Sequence, residues 1–154
     1  MTLAFEREVR LEGLDALAQD LLKRVNHFPN ICLYGDLGAG KTTLVKELCK
    51  QLHIDSKEVT SPTFTYMQTY GGFNNAGRPV EVHHFDLYRL EAEEDFESMG
   101  WLEYFQMPTD REPLAVTLIE WPSKIKTYLP KPRLDVKLDY FAESSRKVSV
   151  YERV

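Results

Sequence analysis

The stretch Gly35-Asp36-Leu37-Gly38-Ala39-Gly40-Lys41-Thr42 has the spacing of a phosphate-binding loop: glycine, any four residues, then Gly-Lys-Thr. Glycines let backbone N–H groups wrap around phosphate oxygens, and a helix starting at the lysine adds partial positive charge from its N-terminus. In that arrangement Lys41 reaches the β- and γ-phosphates of a bound nucleotide, and the Thr42 hydroxyl binds magnesium. At average composition a random chain of this length matches the spacing roughly once in 200, and the context of strand before and helix after makes chance rarer still.

Such a loop needs an acid at the end of a neighbouring strand to hold the magnesium, directly or through water. Glu120 closes the apolar run Leu114 to Ile119, and Asp86 follows the more polar Glu81-Val82-His83-His84-Phe85. A central buried strand turns its C-terminal end toward a nucleotide, which favours Glu120 as the ligand. Asp86 then polarises the attacking water, holds a metal-bound water, or only caps a turn. Thr63 in Ser61-Pro62-Thr63 stands where nucleotide switches place a hydroxyl that senses the γ-phosphate; a plain Ser-Pro turn is the alternative. Arg89 offers an arginine finger or an ion pair to Glu93 or Glu94, and Trp121 packs on the base, on a partner, or simply in the core. His83 and His84 fall on opposite faces of a strand, so at most one points at the site. His27 and His53 read as exposed helix-end residues.

These side chains need a scaffold. Leu3, Phe5, Val9 and Leu11 suggest a first strand over 3–11, and Leu14, Leu17, Ala18, Leu21, Leu22 and Val25 recur at helical spacing. Ile31 to Tyr34 is a short apolar strand, followed by the glycine loop and a helix from Lys41 to Leu52. Phe64 to Tyr70 and Pro79 to Phe85 make a hairpin around a turn that begins at Gly71-Gly72. Glu91 to Met99 is a short helix, Trp101 to Phe105 a further helical turn, and Leu114 to Ile119 a buried strand. Arg133 to Tyr140 and Arg146 to Tyr151 form a second hairpin around Ala142-Glu143-Ser144-Ser145. The fold class is therefore α/β: a central mixed sheet of P-loop type, flanked by helices and edged by hairpins, in one domain over residues 1–154.

A chain of 154 residues can bury an adequate core without disulfides, and Cys32 and Cys49 both sit in apolar settings as reduced thiols. No Cys/His spacing matches zinc. The net charge of −5 disfavours direct binding to a phosphate backbone, so nucleic acid is reached through a partner. The first residues lack a signal peptide's basic region and apolar core, and no apolar run approaches 18 residues. The expectation is a cytoplasmic protein that makes no use of a membrane.

Four separated segments, Leu33 to Thr43, Ser61 to Thr65, His84 to Arg89 and Ile119 to Pro122, together resemble the bacterial TsaE family over about residues 5 to 150. The resemblance implies the ATPase of tRNA threonylcarbamoyladenosine synthesis, working with the TsaD transferase and its TsaB partner, with ATP and Mg2+ as cofactors and tRNA met indirectly. It places the nucleotide loop on Gly35, Asp36, Leu37, Gly38, Ala39, Gly40, Lys41, Thr42 and Thr43, and the magnesium ligands on Thr42 and Glu120. The switch threonine falls on Thr63, the catalytic aspartate on Asp86, and a tryptophan near the site on Trp121. Turns at 71–79 and the tail after Pro130 match no assigned motif.

Two other classes use the same loop. A small-molecule kinase needs an arginine-rich lid segment, which the chain lacks. A nucleotide-gated binding module needs only a segment such as that around Thr63. The absence of Asn-Lys-x-Asp disfavours guanine.

Overall fold

A computed structural model describes residues 1–60, 62, 65–108 and 110–154; the switch expectation at Thr63 lies outside them. Among the described residues seven strands form one sheet: β1 (Thr2–Arg10), β2 (Asn30–Tyr34), β3 (Met67–Phe73), β4 (Pro79–Asp86), β5 (Leu114–Glu120), β6 (Arg133–Ala142) and β7 (Ser145–Arg153). Their order across the sheet is β1-β7-β6-β2-β5-β4-β3. The central four, β6, β2, β5 and β4, run parallel, and β3, β7 and β1 add antiparallel edges. This is the mixed sheet with edge hairpins that the strand pattern predicts.

Helices cover both faces. Side chains alternate along a strand, so Ile31 and Leu33 of β2 meet Leu17 and Leu21 of α1 (Leu14–Leu22) and Leu44 and Leu48 of α2 (Lys41–Gln51). Cys32 faces the other way, into a second core with Phe85, Ile119, Ile125 and Phe96 of α3 (Glu93–Ser98). Aromatic rings dominate there: Phe96 stacks on Phe105 at 5.4 Å and meets Trp101 edge-on at 5.6 Å. Both cysteines are free and buried, and burial pushes the Cys49 thiol up to about 12.

The turn between β3 and β4 differs from the sequence expectation for a clear reason, while the expected strand start at Phe64 lies outside the described residues. Gly71 and Gly72 lie inside β3, and the turn moves to 74–78, closed by the Asn74 N–H on the Arg78 carbonyl at 2.9 Å. The Phe73 N–H donates to the Leu52 carbonyl at the end of α2 at 2.8 Å, which brings the chain so close that a Cβ on Gly72 would overlap that carbonyl oxygen. The glycine pair serves close approach to a helix end, not turn geometry. Pro122–Tyr128 forms 3-10 turns after β5.

Candidate functional site

β2, β5 and β4 all end on the same edge of the sheet, which sets the C-terminal residue of each next to the others. The loop after β2 carries Gly35 to Gly40, Glu120 ends β5, and Asp86 ends β4 directly opposite Glu120 in register. This edge, where parallel strands deliver their C-termini, is the usual ligand crevice of open α/β sheets.

Gly38 and Gly40 adopt left-handed φ values of +80° and +102° with no atom within 4 Å of where a Cβ would stand, so backbone conformation and not crowding calls for glycine there. Gly35 is needed for another reason. A Cβ there would meet the Leu138 carbonyl at 2.9 Å, so its absence lets the loop leave β2 beside β6. Helix α2 starts at Lys41 with no side chain capping its first turn, which leaves backbone donors to face an anion.

Lys41 is only 6% exposed. Its ammonium donates to the Gly35 carbonyl and, at 3.2 Å, to the Asp36 carbonyl, and it lies 4.0 Å from the centre of the Trp121 ring. Burial lowers its pKa, while the charges of Glu120, Asp86 and Asp36 pull it back up. Trp121, itself left-handed at φ 60°, also packs on Tyr88 at 4.9 Å. The Trp121 ring thus touches the loop lysine on one side and packs against the second core on the other.

Thr42 donates its hydroxyl to Glu120 Oε1 at 3.2 Å, and His84 Nε2 lies 2.6 Å from Glu120 Oε2. Asp86 Oδ1 accepts the Tyr88 N–H at 3.1 Å, so this aspartate does cap a turn while standing at the site. Leu37, Thr42, Asp86, Tyr88, Arg89, Glu120 and Trp121 line one cavity of about 210 Å³, which brings the sequence candidates of several segments together. His83 points to the opposite face, where its ring packs at a tilt against Tyr104 at 4.6 Å; its Nε2 is 3.2 Å from Glu81 Oε1 without hydrogen-bond alignment. His27 and His53 are exposed, as their positions suggest.

Three carboxylates around one ammonium would repel a polyphosphate unless a divalent cation joined them. The donors present suit magnesium: a hydroxyl and a buried carboxylate supply hard oxygens. Magnesium takes few protein ligands and completes its shell with water and phosphate.

Sequence reasoning missed a second hollow. Arg10, Leu11, Leu14, Val148 and the hairpin residues 143–146 join Gly38, Gly40 and Thr43 around a cavity of about 240 Å³ on the other flank of the loop. Arg146 bonds the Gly38 carbonyl at 3.3 Å, tying the β6–β7 hairpin to the loop. No local motif marks these residues; only the sheet order, which seats β7 between β6 and β1, brings them near.

The family model for threonylcarbamoyl adenosine biosynthesis protein TsaE matches residues 9–148. A Haemophilus influenzae relative named tRNA threonylcarbamoyladenosine biosynthesis protein TsaE is 40% identical over 114 residues, 74% of this chain and 65% of that protein, a little under two thirds of its length. The Rickettsia felis protein of the same name is 34% identical over 139 residues, covering 90% of this chain and 74% of that one. The crystal structure of Bacillus subtilis YdiB superposes with a TM-score of 0.63 at 26% identity, over 97% of this chain and 86% of that one. No helix among the described residues is long and apolar enough to cross a membrane.

Proposed function

The chain belongs to the TsaE family, and from that premise we propose that it binds ATP with magnesium and hydrolyses it slowly as the ATPase subunit of threonylcarbamoyladenosine synthesis on tRNA. The observation that carries the proposal is the Thr42–Glu120 pair at 3.2 Å beside a buried Lys41 and an uncapped helix start, a constellation suited to a magnesium-bound polyphosphate.

In this reading the loop amides and Lys41 hold the phosphates. Lys41 exchanges the Gly35 and Asp36 carbonyls for phosphate oxygens. Thr42 and Glu120 hold magnesium, which supplies charge neutralisation on the phosphates when bound. Asp86, opposite Glu120, orients the attacking water. The hollow formed by Leu11, Leu14 and Val148 receives the base, since an apolar wall next to Thr43 suits a flat ring. The rim of the catalytic cavity carries exposed Leu37 and Tyr88, so water reaches the phosphates freely. Slow turnover by the isolated chain follows, with faster turnover once the TsaD and TsaB proteins cover that rim. tRNA is met through those partners, in a cytoplasmic setting.

The test is formation of threonylcarbamoyladenosine on tRNA over many turnovers by the reconstituted set, with wild type, Lys41→Ala or no added chain. Sustained turnover with wild type alone is expected. Equal product in all three reactions would remove the assignment.

A further inference from the structure

His84 is fully buried, on the same face of β4 as Asp86, and one pleat deeper into the sheet than the site edge. It cannot touch nucleotide or bulk water. Its Nε2 lies 2.6 Å from Glu120 Oε2, while Glu120 is itself 2% exposed. With a carboxylate oxygen as the acceptor of this pair, Nε2 is the donor. On its other side, Nδ1 is 3.3 Å from the hydroxyl of Tyr70, which also reaches Gln68 Oε1 at 2.8 Å and the Thr60 carbonyl at 3.1 Å.

We propose that His84 is a positioning residue: by gripping Glu120 Oε2 it aims Oε1 at Thr42, where magnesium binds, and Tyr70 anchors the imidazole from behind. This rests on the proposed placement of magnesium at Thr42 and Glu120. The physical reason is freedom. A glutamate at a strand end has three side-chain torsions to settle, and Thr42 alone, at 3.2 Å, holds one oxygen. A short charge-assisted bond to the second oxygen fixes the carboxylate plane. Outer partners of metal ligands commonly matter roughly 10–100-fold in metal affinity. Two strands cooperate: β4 supplies the grip and β3, through Tyr70, supplies the anchor.

The test separates the two ring nitrogens. Glutamine can place an amide N–H near the Nε2 position, whereas asparagine reaches only the Nδ1 position. Binding of a fluorescent ATP analogue to the full chain is titrated with magnesium and repeated in excess chelator. We expect H84Q to keep the magnesium midpoint within about threefold of wild type and H84N to raise it about tenfold or more. Nucleotide affinity in chelator should change less than about twofold in both. Tyr70→Phe, which leaves the Glu120 contact intact, should raise the midpoint about threefold and serves if H84N does not fold. A wild-type midpoint retained by H84N, equal losses in H84Q and H84N, or a loss in chelator as large as that in magnesium overturns the positioning role. A Y70F midpoint equal to wild type overturns the anchor. Nucleotide binding by wild type that ignores magnesium overturns the site reading itself, and this role with it.

Discussion

The Lys41 ammonium sits 4.0 Å from the centre of the Trp121 ring, so the lysine of the glycine-rich loop and the residue after β5 report on one another. Any ligand that draws Lys41 onto phosphates must change the electrostatic surroundings of this indole. In a Trp101→Phe background Trp121 is the one tryptophan left. Its emission should change saturably on addition of ATP and magnesium, and the change should vanish in Lys41→Ala. Steady-state fluorescence titration checks this, and an unchanged spectrum at saturating nucleotide would contradict the contact's role.

Glu120 and Asp86 face each other in register but differ in burial and partners, and so should fail differently. Glu120→Gln keeps the shape but removes the charge next to Thr42, so the magnesium requirement should rise sharply while nucleotide binding in chelator survives. Asp86→Asn keeps the Tyr88 turn bond, because its amide oxygen still accepts. It should leave magnesium-nucleotide binding within a few fold and lower turnover on the order of 100-fold or more. Paired titration and hydrolysis assays on the two variants decide; identical profiles would mean that the two acids act as a single unit.

Much of this was legible because local rules and the global fold agree. The loop spacing, the apolar run ending at Glu120 and the alternation of β4 each needed only nearby residues, and the sheet then set their ends side by side. Gly72 misled because its reason is tertiary: the Leu52 carbonyl that it accommodates is 20 positions away in sequence. The Arg146 contact with Gly38 and the hollow around Leu14 depend on β1 and β7 joining beyond β6, which no periodicity in either strand announces. His84 stood in plain view next to Asp86, yet its grip on Glu120 depends on strand pairing that the sequence leaves open.

Two glycines that look alike in sequence should respond oppositely to size and strain. Gly77 has φ +77° and open space, so Gly77→Ala adds only left-handed strain, about 1–2 kcal/mol. At Gly72 φ lies outside the left-handed region, but an added Cβ meets backbone at Leu52 and the Ile54 side chain at 2.7 Å. Gly72→Ala should therefore be the more destabilising, by forcing β3 away from the end of α2. Thermal melts of the two variants test the order, and a milder effect at Gly72 would show that β3 can shift without loss.

Acid stability has a specific contributor where β1 meets α1. Arg7 donates to Asp20, and this bond, assisted by the charges of Arg7, Lys23 and Arg24, holds the Asp20 carboxyl below its ordinary pKa despite some opposing burial. A carboxyl depressed in the folded state stabilises it above the unfolded pKa, near 4, and loses that contribution as pH falls through the folded value. The Asp20 side chain is 35% exposed, so solvent screens the pair and its worth is at most about 1 kcal/mol. Asp20→Asn should then lower the melting temperature by no more than about 2–4 °C at pH 7. The gap should narrow below about pH 4, where the unfolded chain's carboxyl takes up its proton first, and close as pH falls through the lower folded value. Circular-dichroism melts of both proteins between pH 7 and pH 3 measure it, and a gap that stays constant across that range would assign the effect to packing between β1 and α1 and not to charge.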